Sequence, residues 1–288
     1  MDQNTVQEIP LNKGATNFGA KSDISAEFSF FQQFIDFDKD HYYCLHGGDV
    51  KKDRYSDIKS YKHNIVTINE GKGYINASPI NIITDKYFIC TQGPKNETID
   101  DFWTMIFEHE CNVILMLCNL NEGGMPKCAK YWDKDNVKQF NIAKIKETKK
   151  HDYVIRDITI SQKGKEKNIK QIHYTAWPDH GVPDAKDGAV FEPFIEIIET
   201  LNKPDIKGNG PIVVHCSAGV GRTGTFISMY YLENEIMRQI KDKFSVIRFN
   251  IFNLVRKLKE MRIYLVQTES QYLFIYQFVN YLLIKYNK

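Results

Sequence analysis

The chain has 288 residues, of which 38 are basic and 36 acidic, for a formal net charge of +2. Apolar residues make up 42 % and charged residues 26 %, ordinary values for one globular domain whose core needs neither disulfides nor a structural metal. That balance excludes the disordered, fibrous, membrane-spanning and cysteine-stapled classes, and it lacks the basic face of a dedicated nucleic-acid binder.

Residues 1–20 contain no apolar run of signal-peptide length and no glycine after Met1 for myristoylation. The polar, glycine-bearing stretch 1–24 is expected to be a flexible leader, and 25–288 a single domain. Phe28, Phe31 and the pair Phe34 and Ile35 recur at helical spacing. Apolar runs at 87–90, 113–118 and 212–214 predict buried strands. Alternating runs at 140–145, 153–160 and 169–174 predict half-buried ones, the last two joined by a turn around Gly164. Helical spacing recurs at Ile99, Phe102, Trp103 and Ile106, at Val190, Phe194, Ile197, Ile198 and Leu201, and at Ile251, Leu254, Val255 and Leu258. A last helix carries Tyr272, Ile275, Tyr276, Val279 and Leu283. Its apolar stretch 272–284 is interrupted by Gln277 and Asn280 and is too short to span a bilayer. No internal repeat or linker breaks the pattern, which is that of one α/β domain.

Six cysteines (44, 90, 111, 118, 128 and 216) show no CxxC metal spacing, and several sit in or beside apolar runs. They imply free thiols in a reducing compartment, hence the cytoplasm. Between residues 144 and 170 stand eight lysines and one arginine against four acids. Such a face either attracts an acidic partner or membrane, or is the solvated surface of edge strands.

The segment with chemistry in it is Pro211-Ile-Val-Val-His-Cys-Ser-Ala-Gly-Val-Gly-Arg-Thr-Gly224. A short apolar strand runs into a glycine-bearing turn and then into a helical pattern. Such a turn exposes successive backbone N–H groups at a helix N-terminus and binds anions. Cys216 opens the loop and Arg222 closes it. The helix terminus and the guanidinium supply the positive field that a thiolate nucleophile needs, and a planar arginine fork fits two phosphate oxygens. The segment also matches GxGxxG at 219–224, but no acidic residue stands in 244–249, where a ribose-binding carboxylate would be required. The dinucleotide reading fails.

His215-Cys-x5-Arg-Thr-Gly224 resembles the signature of the classical, phosphotyrosine-specific protein tyrosine phosphatases, and the resemblance extends over residues 27–283. Trp177-Pro-Asp-His-Gly-Val-Pro183 resembles that family's mobile acid-bearing loop, and Lys52-Asp-Arg-Tyr-Ser-Asp57 its phosphotyrosine-recognition loop. Tyr74-Ile-Asn-Ala-Ser78, Gln92-Gly-Pro94, Asp101-Phe-Trp103, Lys127-Cys-Ala-Lys-Tyr-Trp132 and Gln267-Thr-Glu-Ser-Gln-Tyr272 match further segments in order. The resemblance implies a highly twisted mixed β-sheet flanked by helices, with the phosphate loop between a central strand and a helix. It implies hydrolysis of phosphotyrosyl proteins by a monomer, with no cofactor or metal. A phosphotyrosine-binding pseudophosphatase is the alternative. Compact chains of this type resemble the phosphatases of insect-parasitoid bracoviruses, for which the site of action would be the host cytoplasm.

By the same resemblance Cys216 is the nucleophile, Asp179 the general acid and then base, Arg222 the phosphate ligand, and Gln267 the residue that orients water. The N–H groups of Ser217, Ala218, Gly219, Val220 and Gly221 bind phosphate oxygens, and Thr223 donates to the departing sulfur. Tyr55 and Asp57 hold the substrate ring and backbone, Gln271 supports substrate or water, and Trp177, on the acid loop, belongs to the substrate-binding set. Lys127 and Glu122 contact the closed acid loop and Arg222, while His215 orients the cysteine loop. Three residues depart from the family pattern. Tyr264 stands where glycine is usual and is expected to narrow the pocket mouth. His180 replaces an aromatic residue, and Lys259 replaces an arginine expected to support the cradle.

Overall fold

A computed structural model describes residues 7–10, 21–37, 47–82, 87–178, 181–204, 206 and 210–286. In chain order the elements are β1 (Gln7–Pro10), α1 (Lys21–Phe37), β2 (Thr67–Ile68), β3 (Gly73–Tyr74), β4 (Ala77–Ile80), β5 (Phe88–Thr91), α2 (Ile99–Glu108), β6 (Val113–Met116), β7 (Asn121–Glu122), β8 (Met125–Pro126), β9 (Asn141–Lys149), β10 (Tyr153–Gln162), β11 (Lys165–Tyr174), α3 (Glu192–Asn202), β12 (Ile212–His215), α4 (Gly221–Lys241), β13 (Val246–Phe249), α5 (Ile251–Met261) and α6 (Glu269–Tyr286).

Seven strands form one sheet in the order β4-β5-β12-β6-β11-β10-β9. Its middle four, β5, β12, β6 and β11, run parallel, and the strands outside them pair antiparallel. Every residue of β5, β6 and β12 is buried, as continuous apolar runs require when both faces are covered. The β10–β11 hairpin alternates instead and closes through Lys163 and Gly164, both left-handed, as a two-residue hairpin turn demands. Open α/β sheets bind ligands beyond the carboxyl ends of their parallel strands, and β12 delivers His215 and Cys216 there.

Two parts of the segment expected to be a flexible leader carry regular structure. Residues 7–10 pair antiparallel with β13, and α1 begins at Lys21. A four-residue strand has no periodicity of its own; a partner far along the chain defines it. α1 is seated by the Phe31 ring, stacked 4.8 Å from that of Phe252.

The lysine-rich stretch forms β9 to β11. β9 is the open edge of the sheet, and Lys167 and Lys170 are ion-paired with Glu110 and Asp157. Lysine at an open edge discourages pairing between copies of the sheet. Cys90, Cys111, Cys118, Cys128 and Cys216 are buried free thiols, while Cys44 lies outside the described residues. Among the described residues no helix is long and apolar enough to cross a membrane.

Glu233 sits on the buried side of α4, and among the described residues its Oε2 has no hydrogen-bond partner. Burial, with Glu199 nearby, pushes its carboxyl up to about 8. The folded chain therefore keeps a proton that the unfolded chain releases above pH 4.5, and stability falls as pH rises from 4.5 toward 8. Glu233→Gln is expected to stabilise the fold at pH 7 by on the order of 3 kcal/mol, with most of that gain gone at pH 5. Urea melts at the two pH values check the slope.

Candidate active site

The chain leaves β12 at His215, turns through residues 216–220 and enters α4 at Gly221. Gly219 is left-handed at φ 71°, and a Cβ there would lie 2.1 Å from the carbonyl oxygen of Thr91. Only glycine fits that position. Its N–H donates to Cys216 Sγ at 3.3 Å. α4 starts without a side-chain cap, so its first N–H groups are left for a ligand.

Arg222 reaches back across this loop from the first turn of α4. It donates to both carboxylate oxygens of Glu122, at 2.6 and 2.8 Å, and to the carbonyls of Leu117 and Pro178 at 3.1 and 3.2 Å. Burial opposes its charge most strongly, but the Glu122 hydrogen bonds together with the charges of Cys216 and Glu122 hold the guanidinium above its ordinary range. The bidentate pair fixes the plane of the fork. Among the described residues Arg222 Nε–H has no partner, which leaves one donor for an incoming anion.

A loop whose N–H groups face inward turns its carbonyls outward, where they need donors. Arg262, fully buried, supplies them. Its Nε donates to Gly219 O at 2.9 Å and Nη2 to Ala218 O at 3.1 Å. The same fork spans Asn76, Ser60 and Ser78 at 2.8 to 3.2 Å. Support of the cradle was expected at position 259, and the structure puts it three residues later. The Lys259 ammonium donates instead to Val266 O at 2.8 Å. His215 also stands behind the loop. Its Nδ1–H donates to Cys216 O at 3.0 Å, and Nε2 accepts from Tyr131. Burial lowers its pKa to about 4, so the ring is neutral in that tautomer at neutral pH.

Tyr55, on the loop before β2, hydrogen-bonds Ser217 Oγ at 2.8 Å, and Ser217 Oγ donates to Lys127 O at 2.9 Å. Arg54 staples this loop to the carbonyls of Gly93 and Pro94 at 2.9 and 2.7 Å. Gln271 accepts the N–H groups of Gln267 and Thr268 at 2.9 and 3.3 Å, so its carboxamide caps the start of α6. That assigns Gln271 a helix-start contact in addition to a place on the cleft wall.

These groups enclose a cavity of about 360 Å³ lined by Tyr55, Asp57, Ile58, Glu122, Lys127, Gly181, Cys216, Ser217, Ala218, Gly221, Arg222, Gln267, Thr268 and Gln271. Gly219, Val220, Thr223, Trp177, His215 and Tyr264 are not on its wall. The Thr223 hydroxyl is buried and among the described residues has no partner, and the sulfur takes its hydrogen bond from Gly219 instead. Tyr264 is half-buried with a left-handed backbone, φ 60°, which is why glycine suits the position. Asp179 and His180 lie outside the described residues. On either side of them, Pro178 touches Arg222 and Trp177 Nε1 donates to Gly181 O at 3.2 Å. Among the described residues no group of three or more His, Cys, Asp or Glu side chains is arranged to hold a metal ion.

The family model for protein-tyrosine phosphatase matches residues 49–281. The chain belongs to the protein-tyrosine phosphatase family. It is 38 % identical to tyrosine-protein phosphatase non-receptor type 20 of Rattus norvegicus, over 79 % of this chain and 53 % of that one. It is 36 % identical to tyrosine-protein phosphatase 99A of Drosophila melanogaster, over 93 % of this chain and 22 % of that one. The chain thus spans about half the length of the first relative and about a fifth of the second. Among solved structures it is similar to the catalytic domain of human protein tyrosine phosphatase non-receptor type 18. The TM-score is 0.80 at 30 % identity, covering 91 % of this chain and 96 % of that one. It is also similar to PTPN18 in complex with HER2 phosphopeptides, with a TM-score of 0.78 at 30 % identity over 90 % and 92 % of the two chains. The twisted mixed sheet flanked by helices is the protein-tyrosine phosphatase catalytic fold.

Proposed function

We propose that the chain hydrolyses phosphotyrosine in proteins through a cysteinyl-phosphate intermediate. The observation that carries this reading is Cys216 at the base of an anion cradle, reached through a cleft with Tyr55 on its wall. In the first step phosphate oxygens take the N–H groups of residues 217–222 and the free Nε–H of Arg222. The Cys216 sulfur forms a bond to phosphorus while the bond from phosphorus to the tyrosyl oxygen breaks, and Asp179 protonates the departing oxygen. In the second, Gln267 orients a water whose proton passes to Asp179. The new P–O bond forms as P–S breaks, and we assign the Thr223 hydroxyl, unpartnered among the described residues, as donor to the sulfur that leaves.

Phosphotyrosyl proteins are the substrates this cleft suits, and PTPN18, a structural relative, is known in complex with HER2 phosphopeptides. We place the activity in the cytoplasm, as a monomer. The rat relative is a non-receptor phosphatase, and five buried thiols are unpaired. Peptide kinetics test the substrate class. Tyr55 is fixed through Ser217, so the wall sets a depth that phosphotyrosine spans and phosphoserine does not. Misplacing phosphorus over sulfur by about 1 Å costs about 100-fold in rate, and a preference of at least that size is expected for phosphotyrosyl over phosphoseryl peptides. Equal rates would refute it.

A further inference from the structure

Between α5 and α6 the chain passes through two left-handed residues that are not glycine, Tyr264 at φ 60° and Val266 at φ 58°. A β-branched residue in that region is strained, and it stays there only when its surroundings impose it. Val266 is gripped on both sides. Its N–H donates to Val220 O at 3.3 Å, and its carbonyl accepts from Lys259 Nζ at 2.8 Å. The next residue is Gln267.

Lys259 is an unusual donor to find there. It is buried, and no ion pair holds it among the described residues. Burial alone brings its ammonium down to about 7. What faces the ammonium is aromatic: Nζ lies 5.6 Å from the ring centre of Phe28 and 5.4 Å from that of Phe31, both on α1. Ring faces attract a cation, more strongly where water is excluded. α1 is itself fastened to α6, because Glu27 accepts from Tyr272 and Tyr276 at 2.6 Å each. A chain of contacts therefore runs from α1 through Lys259 to the peptide preceding Gln267.

We propose that Lys259 is a positioning residue for the water step: held by the α1 rings, it fixes the Val266 carbonyl and so sets the direction in which Gln267 enters the cleft. The inference rests on the reading of Gln267 as the residue that orients water. It makes breakdown of the phosphocysteine, and not its formation, depend on Lys259. In that breakdown water's oxygen bonds phosphorus, the P–S bond breaks with its electron pair on sulfur, and water's proton goes to Asp179.

Hydrolysis of p-nitrophenyl phosphate by the full chain separates the two steps. The ratio kcat/KM reports events up to release of nitrophenolate, whereas kcat includes phosphocysteine breakdown. Lys259→Met is expected to lower kcat about tenfold with KM falling in parallel, leaving kcat/KM within about twofold of the parent. Rapid denaturation during turnover is expected to yield a larger phosphorylated fraction of the variant. Lys259→Arg restores kcat, since a guanidinium keeps both the charge and a donor. Phe31→Leu, which removes one ring and keeps apolar volume, lowers kcat about threefold in the same pattern. It decides the matter if Lys259→Met does not fold. Unchanged kcat, or equal losses in kcat and kcat/KM, would overturn the positioning role. Failure of the unaltered chain to release nitrophenolate would overturn the proposed function itself, and this role with it.

Discussion

Replacing Cys216 with serine is expected to lower turnover of phosphotyrosyl peptides by about 10⁵-fold or more while leaving oxyanion affinity within about tenfold of the parent. The two effects separate because the cradle's donors are the N–H groups of the loop and Arg222, and neither depends on sulfur. The serine hydroxyl is a far weaker nucleophile, and His215 cannot serve it as a base: Nδ1–H donates to Cys216 O, Nε2 accepts from Tyr131, and burial weakens the ring as a proton acceptor. Steady-state kinetics together with vanadate titration of both forms measure the split. Serine-variant turnover within tenfold of the parent would remove Cys216 from the chemistry.

Arg262→Met is expected to be the most damaging change that leaves every cleft-lining residue in place. The guanidinium serves two loop carbonyls and three side-chain oxygens in one fully buried fork. Methionine fills similar volume but strands the Gly219 and Ala218 carbonyls and Asn76 Oδ1, each at about 1–3 kcal/mol, while the Ser60 and Ser78 hydroxyls keep their bonds to each other and to Ala77 O; the removed cost of burying a charge offsets part of the loss. A net loss of about 3–5 kcal/mol in urea unfolding is the expected result, with weakened oxyanion binding because the loop loses its backing. Arg262→Lys rescues little, since an ammonium cannot span acceptors arranged for a planar fork. A loss below about 1 kcal/mol would show that the loop holds its shape unaided.

The cradle was legible in the sequence because its chemistry is contiguous: strand, nucleophile, glycine turn and arginine fall within 212–224. The central strands were legible because burial on both faces leaves unbroken apolar runs at β5, β6 and β12. β4 was not, since Pro79 argues against a strand; the sheet tolerates it because β4 is an edge. Arg262 was missed for a different reason. A buried arginine leaves no local pattern, and its five acceptors come from three separate stretches of chain. Lys259 stands out in the sequence as a departure from the family pattern, but its surroundings do not, because the rings that face its ammonium come from α1. The left-handed backbone at Tyr264 and Val266 is likewise invisible in residues that normally avoid it.

Where the phosphoryl group goes between the two steps distinguishes a cysteinyl-phosphate route from direct hydrolysis by water. Mixing the chain with an excess of phosphotyrosyl peptide, denaturing it within the first turnovers and mapping the digest by mass spectrometry locates that group. One phosphoryl group on the peptide that carries Cys216, absent from the Cys216→Ser variant, is the predicted result. Turnover with no phosphorylated enzyme under any quench, or with the label on a different residue, would contradict it.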